Sequence, residues 1–157
     1  MPKVVIEELK KRANRAGISI VEYLLDIITR DVDPCIGARS YIKGAEELLE
    51  QAREELMKGN LRQASEKIWG ACALAIKAHA LAKRGMKLES HRDLWMYKNE
   101  VAKELGDWVR ITFKLADSMH KNFYENLATK EDVEDVIKEV EKLVEKVTKS
   151  IIVKKQR

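Results

Sequence analysis

The sequence predicts an all-α domain, an antiparallel bundle of four longer helices with one shorter helix inserted and a helical pair at the N-terminus. Apolar residues recur at helical spacing through almost the whole chain. Cap and stop signals punctuate the segments at short intervals. The 157 residues include only 7 Gly and 2 Pro against 45% apolar and 36% charged residues, which counts against both a disordered chain and a turn-dense sandwich. That length closes one hydrophobic core and is too short for two good ones.

The first segment, Val4 to Ala16, carries Val5, Ile6, Leu9 and Ala13 at helical spacings and stops at Gly17. Ser19 and Glu22 make a capping box that opens a second helix through Ile28. Pro34 pushes Asp33 away from helical geometry and marks the boundary with the main body. From there to Lys58, Tyr41, Ala45, Leu48, Leu49, Ala52 and Leu56 form one apolar face.

Gly59-Asn60 turns the chain into the longest candidate, Leu61 to about Arg84, closed by Gly85 where a left-handed cap belongs. Its middle is apolar nearly all round, so other helices must surround it. Ser90 with Asp93 opens a shorter helix through Leu105, with Leu94, Tyr97 and Val101 as its stripe. Asp107 to Glu125 then places Val109, Phe113, Ala116, His120 and Tyr124 on one line, with Leu115, Met119 and Phe123 widening the expected buried face. The last helix follows Thr129 and shows Val133, Val136, Ile137, Val140, Leu143, Val144 and Val147. Three units follow: an N-terminal pair over 1–30, the bundle over 31–150 and a basic tail over 151–157. The pair, rich in Leu24, Leu25, Ile27 and Ile28, is expected to pack over an open end of the bundle; exchange with a second subunit is the alternative.

Function is less constrained. The formal charge of +4 permits nucleic-acid contact without requiring it. The most apolar run, Ile68 to Ala82, holds Lys77 and His79 and is shorter than the roughly 18 residues of a membrane span, so no membrane role is expected. No signal peptide is visible, and a cytosolic location is expected. Lys and Glu dominate the charged residues and Asn and Gln are sparse, which suits growth at high temperature. Cys35 and Cys72 have no metal-ligand spacing, and the three histidines form no Glu-x-x-His pair, so no metal site is expected. The glycines punctuate helix ends rather than cradle a phosphate, so no cofactor is expected. Cys72 and His79 lie nearly two turns apart, too far for a base to activate a thiol.

The informative residues are those that interrupt apolar faces: Glu66 and Lys77, His91 with Arg92, and Lys114, Asp117, His120 and Tyr124. Each needs a partner if buried. Glu66 and Lys77 stand three turns apart on one side of their helix and must find partners on other helices. His91 falls in a first turn, where the helix dipole disfavours the charged imidazolium.

The Gly59-Asn60 turn into Ala64-Ser65-Glu66-Lys67 and Trp69-Gly70-Ala71, the Ser90-His91-Arg92-Asp93-Leu94 segment, and His120-Lys121-Asn122-Phe123-Tyr124-Glu125 together resemble the archaeal PaREP1 family. That family is similar to the HEPN superfamily of small helical proteins, and the resemblance spans about Asp31 to Val147. It implies a HEPN-like bundle in a cytosolic protein that dimerises through helix faces. HEPN-type domains include metal-independent RNases that set an Arg a few residues before a His and bring two such motifs together in a dimer. Here Arg84 precedes His91 across the Gly85 break, and Lys114, not Arg, precedes His120. Lysine lacks the guanidinium's bidentate fork. The resemblance thus implies first a non-catalytic binding module for RNA, a nucleotide or a partner protein. The alternatives are a homodimeric endoribonuclease using His91 or His120, and one half of a toxin and antitoxin pair with a small nucleotidyltransferase-like partner.

Overall fold

The computed structural model describes residues 1–156, with side chains described through residue 152. Seven helices account for them in order: α1 (Lys3–Ala16), α2 (Ile20–Ile28), α3 (Pro34–Met57), α4 (Leu61–Arg84), α5 (His91–Leu105), α6 (Trp108–Glu125) and α7 (Lys130–Gln156). No strand occurs among the described residues.

The punctuation works as the sequence indicates. Ser19 Oγ accepts the Glu22 amide, and Ser90 Oγ accepts that of Asp93, both at 3.1 Å. Asp33 caps α3 by accepting from the Cys35 amide, with Pro34 in the first turn, where its missing N–H costs nothing. Gly85 ends α4 at φ 61°, a left-handed conformation that a side chain disfavours.

Helix α4 is buried without interruption from Ile68 to Leu81 and lies at the centre, with α3, α5, α6 and α7 packed around it. Small residues on both sides let α3 approach; a Cβ on Gly70 of α4 would stand 3.0 Å from a Leu48 methyl, and one on Gly37 of α3 2.7 Å from a Leu81 methyl. The core draws Tyr41, Leu49, Ile68, Leu74, Ile76, Leu94, Val101, Phe113, Val140 and Leu143 from five helices.

Three expectations need correction. Tyr124 and Leu115, expected on the buried line of α6, are exposed at 68% and 38%. His91, the first residue of α5, sits beside His120, so Tyr124 one turn further on has passed the start of α5 and meets solvent. The N-terminal pair is also inverted relative to its pattern. In α2 the buried residues are Glu22 and Asp26, while Ile27 and Ile28 are exposed. Finally, α7 runs straight through the boundary expected at 150, with Ile151 packed on the core. The rest of the expected basic tail, in its side chains from 153 and at residue 157, lies outside the described residues. No helix among the described residues is long and apolar enough to cross a membrane.

Candidate two-histidine site

Three helices converge where α5 begins. Helix α4 supplies Glu66 and Trp69, α5 supplies His91 and Trp95, and α6 supplies Phe113, Asp117 and His120. Spacings of three or four residues put each set on one helix face. Trp69 is the floor: its ring lies 5.3 Å from that of His91, 5.6 Å from that of His120 and 5.5 Å from that of Phe113. The two imidazoles face one another with centroids 6.1 Å apart. Both are half-buried, with side-chain exposures of 35% and 30%, so each is desolvated yet reachable.

Each histidine has its own carboxylate. His120 Nδ1 lies 3.0 Å from Glu66 Oε2, and its Nε2 carries no hydrogen bond among the described residues. His91 Nε2 lies 3.2 Å from Asp117 Oδ1 but also 2.9 Å from the indole nitrogen of Trp95, which donates to it. One ring nitrogen cannot serve both at once. It accepts from Trp95 when bare and donates to Asp117 when protonated. His91 Nδ1 carries no hydrogen bond among the described residues.

The surroundings drive the two rings apart in acidity. Burial holds His91 below the ordinary imidazole value, with the Asp117 charge opposing it and His120 and Lys121 adding to the depression. The hydrogen bond to Glu66 holds His120 above that value despite its burial, and the charges of Glu66, Asp117 and Glu22 add to the rise. At the ordinary imidazole value of about 6.5, His91 is therefore mostly bare and His120 mostly protonated. Tyr124 stands edge-on to His120, 5.7 Å between centroids, as an exposed aromatic wall.

Of the residues singled out in the sequence, Glu66, His91, Asp117, His120 and Tyr124 come together here. Arg84 does not. It sits at the far end of α4, ion-paired with Glu100 at 2.7 Å and stacked over Tyr97. Lys114 is exposed two turns before His120 on α6, and Arg92 points to solvent. Lys77 belongs to a separate buried cluster: its ammonium binds both Asp26 oxygens at 3.0 and 2.8 Å and lies 3.5 Å from Glu22 Oε2. Tyr41 donates to the same Asp26 at 2.6 Å. His79 is remote from any thiol chemistry, held between Tyr97 at 2.9 Å and Glu104 at 2.7 Å, while burial pushes the Cys72 thiol up.

Sequence reasoning missed Trp95 and the pairing of Glu22 and Asp26 with Lys77. Both had a signal. Trp95 stands four residues after His91, so its indole reaches back one turn. Glu22 and Asp26 are the only acids of an otherwise apolar α2 and share its face at the same spacing, the mark of a buried cation opposite.

A search of curated proteins found no match to this chain. Its structure is similar to the crystal structure of a protein from Sulfolobus solfataricus, with a TM-score of 0.62 and 26% identity over 69% of this chain and 96% of that one. Residues 40–144 match the profile of the Archaeal PaREP1/PaREP8 family, a stretch that contains every residue of the two-histidine site and excludes α1 and α2. With more than half of its length under that profile, the chain belongs to the archaeal PaREP1/PaREP8 family.

Proposed function

We propose that the two-histidine pocket is a general acid–base site acting on RNA, which makes this HEPN-like protein a metal-independent endoribonuclease. The carrying observation is the pair itself: two half-exposed imidazoles 6.1 Å apart, one held below the ordinary imidazole pKa and the other above it. His91 is the base in the tautomer whose Nε2–H points to Asp117, leaving the Nδ1 lone pair to take the proton of a ribose 2′-hydroxyl. The 2′-oxygen attacks phosphorus and the bond to the 5′-oxygen breaks. His120, held by Glu66, gives its Nε2 proton to that leaving oxygen, so the products are a 2′,3′-cyclic phosphate and a free 5′-hydroxyl. Each histidine ends in the other's starting state, and the proton balance closes without a metal. Tyr124 offers a face on which a base can stack.

A second reading, a binding module without catalysis, draws on the position of Arg84. Its guanidinium is engaged by Glu100 at the opposite end of α4, so Arg84 accompanies neither histidine as a phosphate clamp. Incubation of labelled single-stranded RNA with the purified protein in chelator separates the two. Cleavage that ends in a cyclic phosphate and falls about 10²–10⁴-fold in His91→Ala and His120→Ala supports the acid–base site. Salt-sensitive retention with intact RNA supports the binding module and overturns catalysis.

A further inference from the structure

Beside Trp95, Lys98 is 6% exposed and has no carboxylate partner among the described residues. Its ammonium donates to the Trp95 carbonyl at 2.7 Å and rides 4.6 Å over the Trp95 ring and 5.5 Å over Phe113. Burial lowers its affinity for the proton, and the charges that act on it, Lys114 and Arg110, push the same way. A buried ammonium is ordinarily matched by an anion. Lys77 shows the rule in this molecule, with two carboxylates about it. Lys98 breaks it, and two further cations one turn apart on α6, Arg110 and Lys114, flank the Phe113 over which it rides and act on it as like charges. Lys114 forms no ion pair among the described residues, and Arg110 holds only the exposed Asp107 at 2.6 Å.

We propose that Lys98, Lys114 and Arg110 form an anion subsite that takes a phosphoryl group. Three neighbouring positive charges favour a polyanion over a single carboxylate. The ammonium of Lys98 has protons left to donate after its bond to the Trp95 carbonyl. Trp95 joins this subsite to the pocket, since its indole nitrogen lies 2.9 Å from His91 Nε2. The subsite stands whether or not that pocket cuts, because it is read by binding alone.

The phosphoryl group belongs either to a free ligand or to a polynucleotide backbone, and two probes separate these sources: inorganic pyrophosphate, followed by calorimetry, and a fluorescein-labelled oligouridylate, followed by anisotropy across salt concentrations. Lys98→Met keeps the buried stem and removes the charge; Lys114→Gln removes an exposed charge and does not endanger folding. Each variant is expected to weaken binding about tenfold at low salt and to lower the salt slope for the oligouridylate by about 0.7 per lost contact. Binding of pyrophosphate at least as tight as that of the oligouridylate, or of pyrophosphate alone, assigns a free phosphoryl ligand, and tighter or exclusive binding of the oligouridylate assigns the backbone. Native protein that binds neither probe, or Lys114→Gln that binds both with native affinity and slope, overturns the subsite.

Discussion

The Lys77 cluster and the two-histidine pocket begin as the same kind of feature, charged or titratable side chains on the inner faces of helices, and end with opposite characters. Around Lys77 the groups are sealed from water and, apart from Glu22 Oε2, committed to each other. Asp26 alone takes two bonds from the ammonium and one from Tyr41, and Lys87 closes the edge by donating to the Asp26 carbonyl at 2.7 Å. Around His91 and His120 each ring keeps a nitrogen without a hydrogen bond among the described residues, and a third of each side chain is open. Spent hydrogen-bonding capacity marks a structural network. Capacity held in reserve beside perturbed acidity, and open to solvent as that of buried Glu22 is not, fits the proposed site. Burial of charge alone tells neither, since Lys77 is the more buried of the two.

The sharpest way to break this contrast is Lys77→Met. It leaves Glu22 and Asp26 buried without their cation, and chemical denaturation should show a loss of about 3–5 kcal/mol. RNA cleavage per folded molecule should stay near native, because Lys77 does not touch the histidines. A variant that is stable yet inactive would place Lys77 in the site instead.

Glu22→Gln should do the least. Glu22 Oε2 is buried with no hydrogen-bond partner, and desolvation raises its pKa despite the nearby Lys77. A carboxyl whose folded pKa is raised binds its proton more tightly when folded, so its contribution falls as pH climbs from the unfolded value through the folded one. Replacement removes that loss. Near neutrality the variant should match the native chain or exceed it by about 1 kcal/mol, as read by urea denaturation. A substantial destabilisation would mean that Glu22 acts as a working partner of Lys77.

The helices are legible in the sequence because their signals are local. Ser19, Pro34, Ser90 and Gly85 announce their ends within a turn, and the largely apolar run of α4, broken only by Lys77 and His79, identifies the central helix. The orientation of α2 is not legible, since Ile27 and Ile28 outweigh Glu22 and Asp26 in any apolar count. Only the ammonium of Lys77, 51 residues beyond Asp26, turns the two acids inward. Site membership is half visible for the same reason. Polar interruptions name Glu66, His91, Asp117 and His120, but the meeting of α5's first turn with α6 is a tertiary fact that no spacing encodes. Motif spacing points to Arg84, and the Gly85 turn carries it to the other end of the bundle.

The most direct measurement is the pH dependence of RNA cleavage in chelator for the native protein beside Glu66→Gln. The base must be bare and the acid protonated. Activity should therefore rise through the depressed pKa of His91, hold across the ordinary imidazole value of about 6.5, and fall through the raised pKa of His120. Glu66→Gln removes the hydrogen-bonded charge that raises His120, so its alkaline limb should move to lower pH while the acid limb stays in place. A profile without an alkaline limb, or one that Glu66→Gln leaves unmoved, would contradict the pairing of His91 as base with His120 as acid.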